Sequence, residues 1–488
     1  MIRNTLVIIL AITCLAGCAT MAPSYKRPAP PVPAVWPTGP AYKGAAEQGA
    51  GQASADIGWR DFYADERLQE VISLALSNNM DLRIAALNIE RARALYRIQR
   101  AELFPTINAS GIWIEQRVPA DISTESGEAT NFRQYSVNAG VTAWELDFFG
   151  RIRSLKDRAL EQYLATEQAG RSVQISLVAE VANAYLTFAA DGESLKLAQS
   201  TLDAQQATYT LIRRRSEVGI SNELDLRQAQ TRVEAARVDI ARYTRQVALD
   251  LNALNLLVGS TVPPELLPGE LNLSAVPKDV SPGLSSSVLL RRPDILQAEH
   301  ELKAANANIG AARAAFFPQI SLTSTIGTTS NALSALFQAG SSTWTFAPQF
   351  TMPIFDARLW SALDAIKVER EIVLAEYQKA IQVAFREVAD ALAQRGTVGD
   401  QIEAQEALVH AWSEAYRLSD ARYIKGIDGY LGVLEAQRSL YAAQQILIAT
   451  HLSRLTNLVT LYKVLGGGGT ASLPFPANGQ NDEGIRGN

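Results

Sequence analysis

The feature that most constrains this chain is a stretch from Arg151 to Val218 with no proline and only two glycines, Gly170 and Gly192, in 68 positions. Its Ala-, Gln-, Glu- and Arg-rich composition favours helix throughout. At 1.5 Å per residue it predicts a single helix of roughly 100 Å, about three times the diameter of a small domain. Gly219 follows directly and suits a left-handed C-cap. Beyond that turn, Leu226, Ala229, Val233, Ala236, Ile240, Tyr243 and Val247 alternate spacings of three and four, the pattern of a coiled-coil seam. Upstream, residues 66–103 carry a helical pattern that stops at Phe104-Pro105, because the residue before proline avoids the α region. Each flanking helix is a little over half as long as the central one, so the two laid end to end match it antiparallel. Such an arrangement is a rod or tube.

The plan then repeats. Ala101-Glu-Leu-Phe-Pro105-Thr-Ile matches Ala314-Ala-Phe-Phe-Pro318-Gln-Ile at an offset of 213, and Arg215-Ser-Glu-Val-Gly219 matches Arg422-Tyr-Ile-Lys-Gly426 at an offset of 207. Leu226-Arg-Gln-Ala-Gln230 pairs with Leu434-Glu-Ala-Gln437, and Leu257-Val-Gly259 with Val464-Leu-Gly466. Units of about 200 residues are far longer than solenoid repeats, so a whole structural half is duplicated. The expected halves are 59–270, with a hairpin over 105–147 and helices over 151–218 and 221–258, and 271–466, with a hairpin over 318–355 and helices over 356–424 and 428–465. Ile448, Leu452, Leu455, Val459 and Tyr462 keep the helical period in the last of these. The fold class is mainly α with a small β part.

The strands alternate. Tyr135, Val137, Ala139, Val141 and Ala143 fall on one face, and Gln134, Ser136, Asn138, Gly140 and Thr142 on the other. The partner from Ile107 is weaker, because Ile112 and Ile114 break register with Ile107, Ala109 and Gly111. In the second half Trp344, Phe346, Phe350, Met352 and Ile354 oppose Thr345, Ala347, Gln349 and Thr351, and Pro348 predicts a bend or an edge. Strands of about ten residues, apolar on one face and small and polar on the other, suit a membrane β-barrel, though a hairpin half-buried on a soluble domain alternates the same way. Four strands cannot close a barrel, for which about eight is the practical minimum. A membrane-crossing form therefore needs several copies, with eight, twelve or sixteen strands in a dimer, trimer or tetramer.

Charge and motifs exclude most chemistry. A net charge of −5 argues against a nucleic-acid partner. Three histidines and two cysteines lie far apart, and no HExxH, CxxC, GxGxxG, P-loop or GxSxG is present. No enzyme activity, metal site or cofactor is expected. The N-terminus is more informative: Arg3 precedes an apolar run, Leu6 to Ala16, of signal-peptide length, ending Leu15-Ala16-Gly17-Cys18. That ending has the form of a lipobox, so residues 1–17 are expected to be removed and Cys18 acylated. Ala19, rather than Asp, favours the outer membrane. Residues 18–58, rich in proline from Pro23 to Pro40, read as an extended linker, and 467–488 as a flexible tail. No run of about 18 apolar residues follows, so no transmembrane helix is expected.

Together the lipobox, Ile57-Gly-Trp59, Tyr96-Arg-Ile-Gln-Arg-Ala-Glu-Leu-Phe-Pro105, Ala143-Trp-Glu-Leu-Asp147, Phe149-Gly-Arg151, Arg291-Arg-Pro-Asp294, Gly310-Ala-Ala-Arg-Ala-Ala-Phe-Phe-Pro318 and Leu465-Gly-Gly-Gly468 resemble the TolC superfamily, and within it the OprM-type lipoproteins. The resemblance covers Tyr25 to Gly468. It implies a homotrimer in which a twelve-stranded outer-membrane β-barrel continues into a periplasmic α-barrel. It also implies a periplasmic adaptor (membrane fusion) protein and an inner-membrane transporter of the resistance-nodulation-division (RND) class, the whole conducting drugs and other small toxic compounds outward. The turns at Gly219 and Gly426 become the periplasmic tips and adaptor-docking points. Leu431 and Glu435 match an apolar and an acidic ring at the aperture, with Glu where close relatives carry Asp, and Arg422, Tyr423 and Asp225 match residues that tie neighbouring helices when the tip is closed. Against these stand blander readings: Leu431 as coiled-coil core, Glu435 as a solvated face residue, Arg422 and Asp225 as surface charges. Rival functions are a protein-secretion duct, a metal-export duct, disfavoured by few Met and His, and a periplasmic scaffold lipoprotein, which leaves the duplicated hairpins unexplained.

Overall fold

The computed structural model describes residues 20–43, 57–121, 129–276 and 285–468. Cys18, the signal segment and the tail from residue 469 lie outside them. In chain order the regular elements are α1 Trp59–Phe62, α2 Glu66–Asn78, α3 Met80–Ala101, β1 Ile107–Val118, β2 Thr130–Leu146, α4 Arg151–Glu217, α5 Glu223–Val258, α6 Pro293–Ala314, β3 Gln319–Ser330, β4 Ser342–Thr351, α7 Ala357–Ile424 and α8 Leu431–Val464. Short 3-10 turns stand at Pro264–Leu266, Ser286–Arg291 and Leu333–Ala335. The two long helices run 67 and 68 residues, as their composition predicts.

Four boundaries differ from the sequence pattern. The helix expected over 66–103 is two helices, because Asn79 adopts an extended backbone (ψ 130°) and its Oδ1 accepts the Leu82 N–H at 2.9 Å, capping α3. Its Nδ2 donates to the Leu257 carbonyl, so the break is tied to the C-terminal end of α5. Asparagine competes with the helix ladder in this way, and Asn78-Asn79 was the visible signal. The helices expected from 221 and 428 start at Glu223 and Leu431. Met352 and Ile354, expected in the last strand, lie beyond its end at Thr351.

Two compact units divide the chain. The first (Met1–Pro28, Glu90–Thr166, Ala298–Tyr377) holds a four-stranded antiparallel sheet in the order β1-β2-β3-β4. Residues directly opposed in an antiparallel ladder share a face, so the register sorts the side chains. Ile107, Trp113, Tyr135, Val137, Val141, Leu322, Ile326, Trp344, Phe346 and Phe350 fall on one face, and Asn108, Ser110, Ser136, Asn138, Ser321, Thr323, Thr325, Thr345 and Gln349 on the other. The apolar face is bare in a single chain: Trp344 and Phe350 are each 76% exposed. Ile112 and Ile114 sit on the polar face, opposite Ser136 and Gln134, which accounts for their broken period. A bulge between Val141 and Trp144 places Ala143 at φ +52°, its N–H donated to Thr323 Oγ1 at 3.1 Å, so Ala143 leaves the alternation expected of it. Pro348 lies in β4, an edge strand of the four-stranded sheet and opposite Leu322, which is the edge position expected of it.

The second unit (Ala29–Ile89, Glu167–Gln297, Gln378–Asn488) is helical. Its buried side chains repeat every three or four residues: Val178, Val181, Tyr185, Leu186 and Ala189 on α4, Ile381, Ala384, Val388 and Leu392 on α7, Leu455, Val459 and Tyr462 on α8. Helix α4 contains an 18-residue window of mean hydropathy 1.3, but 61% of that window is buried within the chain, which marks it as core. Residues 20–43 carry no helix or strand, as proline predicts, yet they pack closely on the protein. In the first unit Tyr25 Oη and Arg27 Nε donate to Glu299 at 3.2 and 3.1 Å. Burial alone would raise the Glu299 carboxyl, but the hydrogen bond from Arg27 and the charge of Lys303 hold it below its ordinary value. In the second unit Trp36 is buried and stacks on Phe385 with centroids 5.2 Å apart. This segment is a strap rather than a free linker.

Candidate functional site

Both helical hairpins of the second unit turn on a glycine in the left-handed region, Gly219 at φ +81° and Gly426 at φ +71°. In each, the residue after the glycine returns its N–H to a carbonyl five positions back, Ile220 to Arg215 at 2.8 Å and Ile427 to Arg422 at 2.9 Å. The glycine itself bonds three back, to Ser216 and to Tyr423. This satisfies the last helical carbonyls without a side chain, and a Cβ at the glycine would be strained.

The four helix ends around these turns share one small core. Ile212 of α4, Ala229 of α5, Tyr423 of α7, Tyr430, and Val433 and Leu434 of α8 are buried together, with Tyr209, Leu226 and Tyr416 packed against them. The Tyr423 and Tyr430 rings lie 5.1 Å apart at 51°, and the Arg215 guanidinium sits 5.0 Å above the Tyr423 ring. Burial, with Tyr416 and Tyr423 nearby, pushes the Tyr430 phenol well above its ordinary value, so it stays protonated across the physiological range.

The polar residues divide differently from the sequence expectation. Arg422 makes a two-pronged pair with Asp428 inside its own turn, Nη2 to Oδ1 at 3.1 Å and Nε to Oδ2. The hydrogen bond with Asp428 raises the guanidinium, and that from Arg422 lowers the Asp428 carboxyl. Asp225 stays in the other turn, where its Oδ2 accepts from Ser221 Oγ at 3.2 Å and its N–H is capped by Asn222 Oδ1 at 2.8 Å. Tyr423 is thus joined to the tip core, while Asp225 and Arg422 are each satisfied locally. Leu431 opens α8 and is 66% exposed, outside the buried cluster. Glu435, one turn on, is exposed and paired with Arg438 at 3.5 Å. Sequence reasoning missed Tyr430, Asp428, Arg215 and Arg438. Arg215 had a signal, since the repeat aligns it with Arg422; Tyr430, between Gly429 and Leu431, reads as loop.

Away from the turns, α4 and α5 bring together Asp191 and Asp250. Burial first, then the hydrogen bond and charge of Asp250, push the Asp191 carboxyl up to about 6. Among the described residues no group of three or more His, Cys, Asp or Glu could hold a metal ion.

The outer membrane efflux protein family model matches this sequence twice, over residues 71–260 and 284–467. This chain belongs to that family. The second match begins 213 residues after the first, the offset that separates Pro105 from Pro318, so the two matches fall on the two copies of the repeat. The antibiotic efflux pump outer membrane protein ArpC of Pseudomonas putida is 51% identical over 463 residues, covering 94% of this chain and 95% of the relative. The toluene efflux pump outer membrane protein TtgC of the same species is equally close, 51% over 463 residues with 94% and 95% covered. Among solved structures, a membrane protein from Pseudomonas aeruginosa superposes with a TM-score of 0.86 at 41% identity, covering 92% of this chain and 100% of that one. The efflux channel is an outer-membrane protein of the TolC type, and its fold and the resemblance read from its motifs agree.

Proposed function

We propose that this efflux channel is the exit duct of a tripartite pump, carrying antibiotics and organic solvents such as toluene from a periplasmic adaptor and an RND-class inner-membrane transporter to the exterior. The observation that supports this best is the sheet: one face of small polar residues, one face of exposed Trp, Phe, Ile and Val, and two open edges, β1 and β4. A sheet edge cannot stand unpaired in hydrocarbon, so β1 of one copy must meet β4 of another. Three copies close twelve strands around a polar lumen wide enough for solutes. The duct is passive, and the transporter supplies the energy.

The turns at Gly219 and Gly426 are then the periplasmic tips where the adaptor docks. Leu431 and Glu435 face the aperture and Arg422, Tyr423 and Asp225 govern its closure. Arg438 beside Glu435 makes the ring charge-compensated rather than purely acidic. Cys18 carries the lipid anchor. Loss of the chain in a host with adaptor and transporter intact should lower tolerance to both antibiotics and toluene; unchanged tolerance to every pump substrate would contradict the reading. Extraction in mild detergent should give three protomers, and a folded monomer would contradict closure.

A further inference from the structure

The strap enters the described structure beside an apolar groove in the first unit. Met21, Phe316, Phe317, Trp360 and Leu363, with Arg313 at the margin, line a cavity of about 570 Å³, a size typical of ligand pockets, roughly 300–1,000 Å³. Trp360 meets Phe316 edge-on at 4.9 Å yet remains 65% exposed. No convergent polar groups stand in the groove of the kind that orient a drug or a peptide. What it offers is an open trough for a flexible chain of methylenes.

The strap is pinned at this point. Arg313 Nη1 donates to the Met21 carbonyl at 3.2 Å and Asn306 Nδ2 to the Pro23 carbonyl at 2.7 Å. At Gly310 the surface of α6 lies so close that a Cβ would fall 2.7 Å from the Ala22 nitrogen. Met21 therefore holds a fixed place in the groove wall, and Cys18, three residues earlier, cannot be more than about 11 Å from it along any path. A lipid tethered at that distance meets the groove at a high effective concentration, in the millimolar range for short tethers.

We propose that one acyl chain carried by Cys18 lies in this groove, packed against Met21, Phe316, Trp360 and Leu363. The lipid then fastens the start of the strap to the protein as well as to the membrane. This rests on the lipobox reading of Cys18, and the test separates the two. Cells expressing the full-length protein are fed a diazirine-bearing palmitate and irradiated, and the purified protein is digested for mass spectrometry, with isotopically mixed copies to tell crosslinks within a chain from those between chains. The expected result is label on the wild type, none on Cys18→Ser, and crosslinks within one chain to residues 313–317 and 357–363. Label with crosslinks only to phospholipid, or only to another copy, overturns the groove and leaves lipidation standing; no label on the wild type overturns both. A surface variant, Trp360→Ser with Leu363→Ser, should cut the crosslink yield about tenfold with label incorporation unchanged, since it removes two of the five apolar side chains that line the groove. An unchanged yield would contradict the proposal.

Discussion

The two hairpin turns share a glycine geometry and differ in almost everything that holds it. The first, between α4 and α5, relies on local capping: Asn222 caps α5 and Ser221 bonds Asp225. The second, between α7 and α8, has no side-chain N-cap, yet Arg422 clasps Asp428 across it and Tyr423 and Tyr430 root it in the shared core. The repeat aligns Arg215 with Arg422, so the same residue type serves two ends: Arg215 lies over the Tyr423 ring of the other half, and Arg422 closes its own turn. Duplication supplied the turn, and divergence made one half the anchor of the other.

The largest test of that difference is Tyr430→Ala. The side chain is 1% exposed, and truncating a buried aromatic costs about 3–5 kcal/mol. Hydrogen exchange should show the second turn and the start of α8 losing protection, with the first turn changed less. Asn222→Ala in the first turn should cost only about 1 kcal/mol, the value of a lost cap. Equal losses at both turns would erase the distinction. The glycines sharpen the comparison from the other side. A Cβ at Gly219 or at Gly426 meets nothing within 4 Å, so alanine at either costs only left-handed strain, about 1–2 kcal/mol, and the two variants should melt alike.

The smallest effect belongs to the Arg422–Asp428 pair, which is exposed and screened by salt. Arg422 holds the Asp428 carboxyl below its ordinary value of 3.8. A depressed carboxyl contributes stability above its unfolded pKa and loses it as pH falls, so the clasp is intact at neutral pH and released only below about pH 4. Amide protection in the second turn, measured relative to the intrinsic exchange rate at each pH, should fall with acid or with 1 M salt, and protection in the first should not follow.

The helices, the duplication and the alternation of the strands were legible in the sequence because each depends on local period: 3.6 along α4, two along β2. Tyr430, Asp428 and the strap were not. Tyr430 is buried by helices from both halves, and nothing in Gly429-Tyr430-Leu431 marks that contact. The strap looked like a linker because its composition forbids helix and strand, while its packing through Tyr25, Arg27 and Trp36 is long-range. The Asn79 break has a signal in Asn78-Asn79, but a strong flanking period masks one capping residue. For the residues proposed to form the gate, the sequence shows their place beside the two turns but not their pairing: Arg422 and Asp225 are both satisfied within their own turns.

Single-channel recording in planar bilayers tests the central claim most directly: a polar path ends at these turns and the second turn holds it closed. Arg422→Ala with Tyr423→Ala should raise the conductance and admit large antibiotics. The matched first-turn variant, Ser221→Ala with Asp225→Ala, should change it less. Unchanged conductance in the first pair, or an equal rise in both, would place the constriction elsewhere.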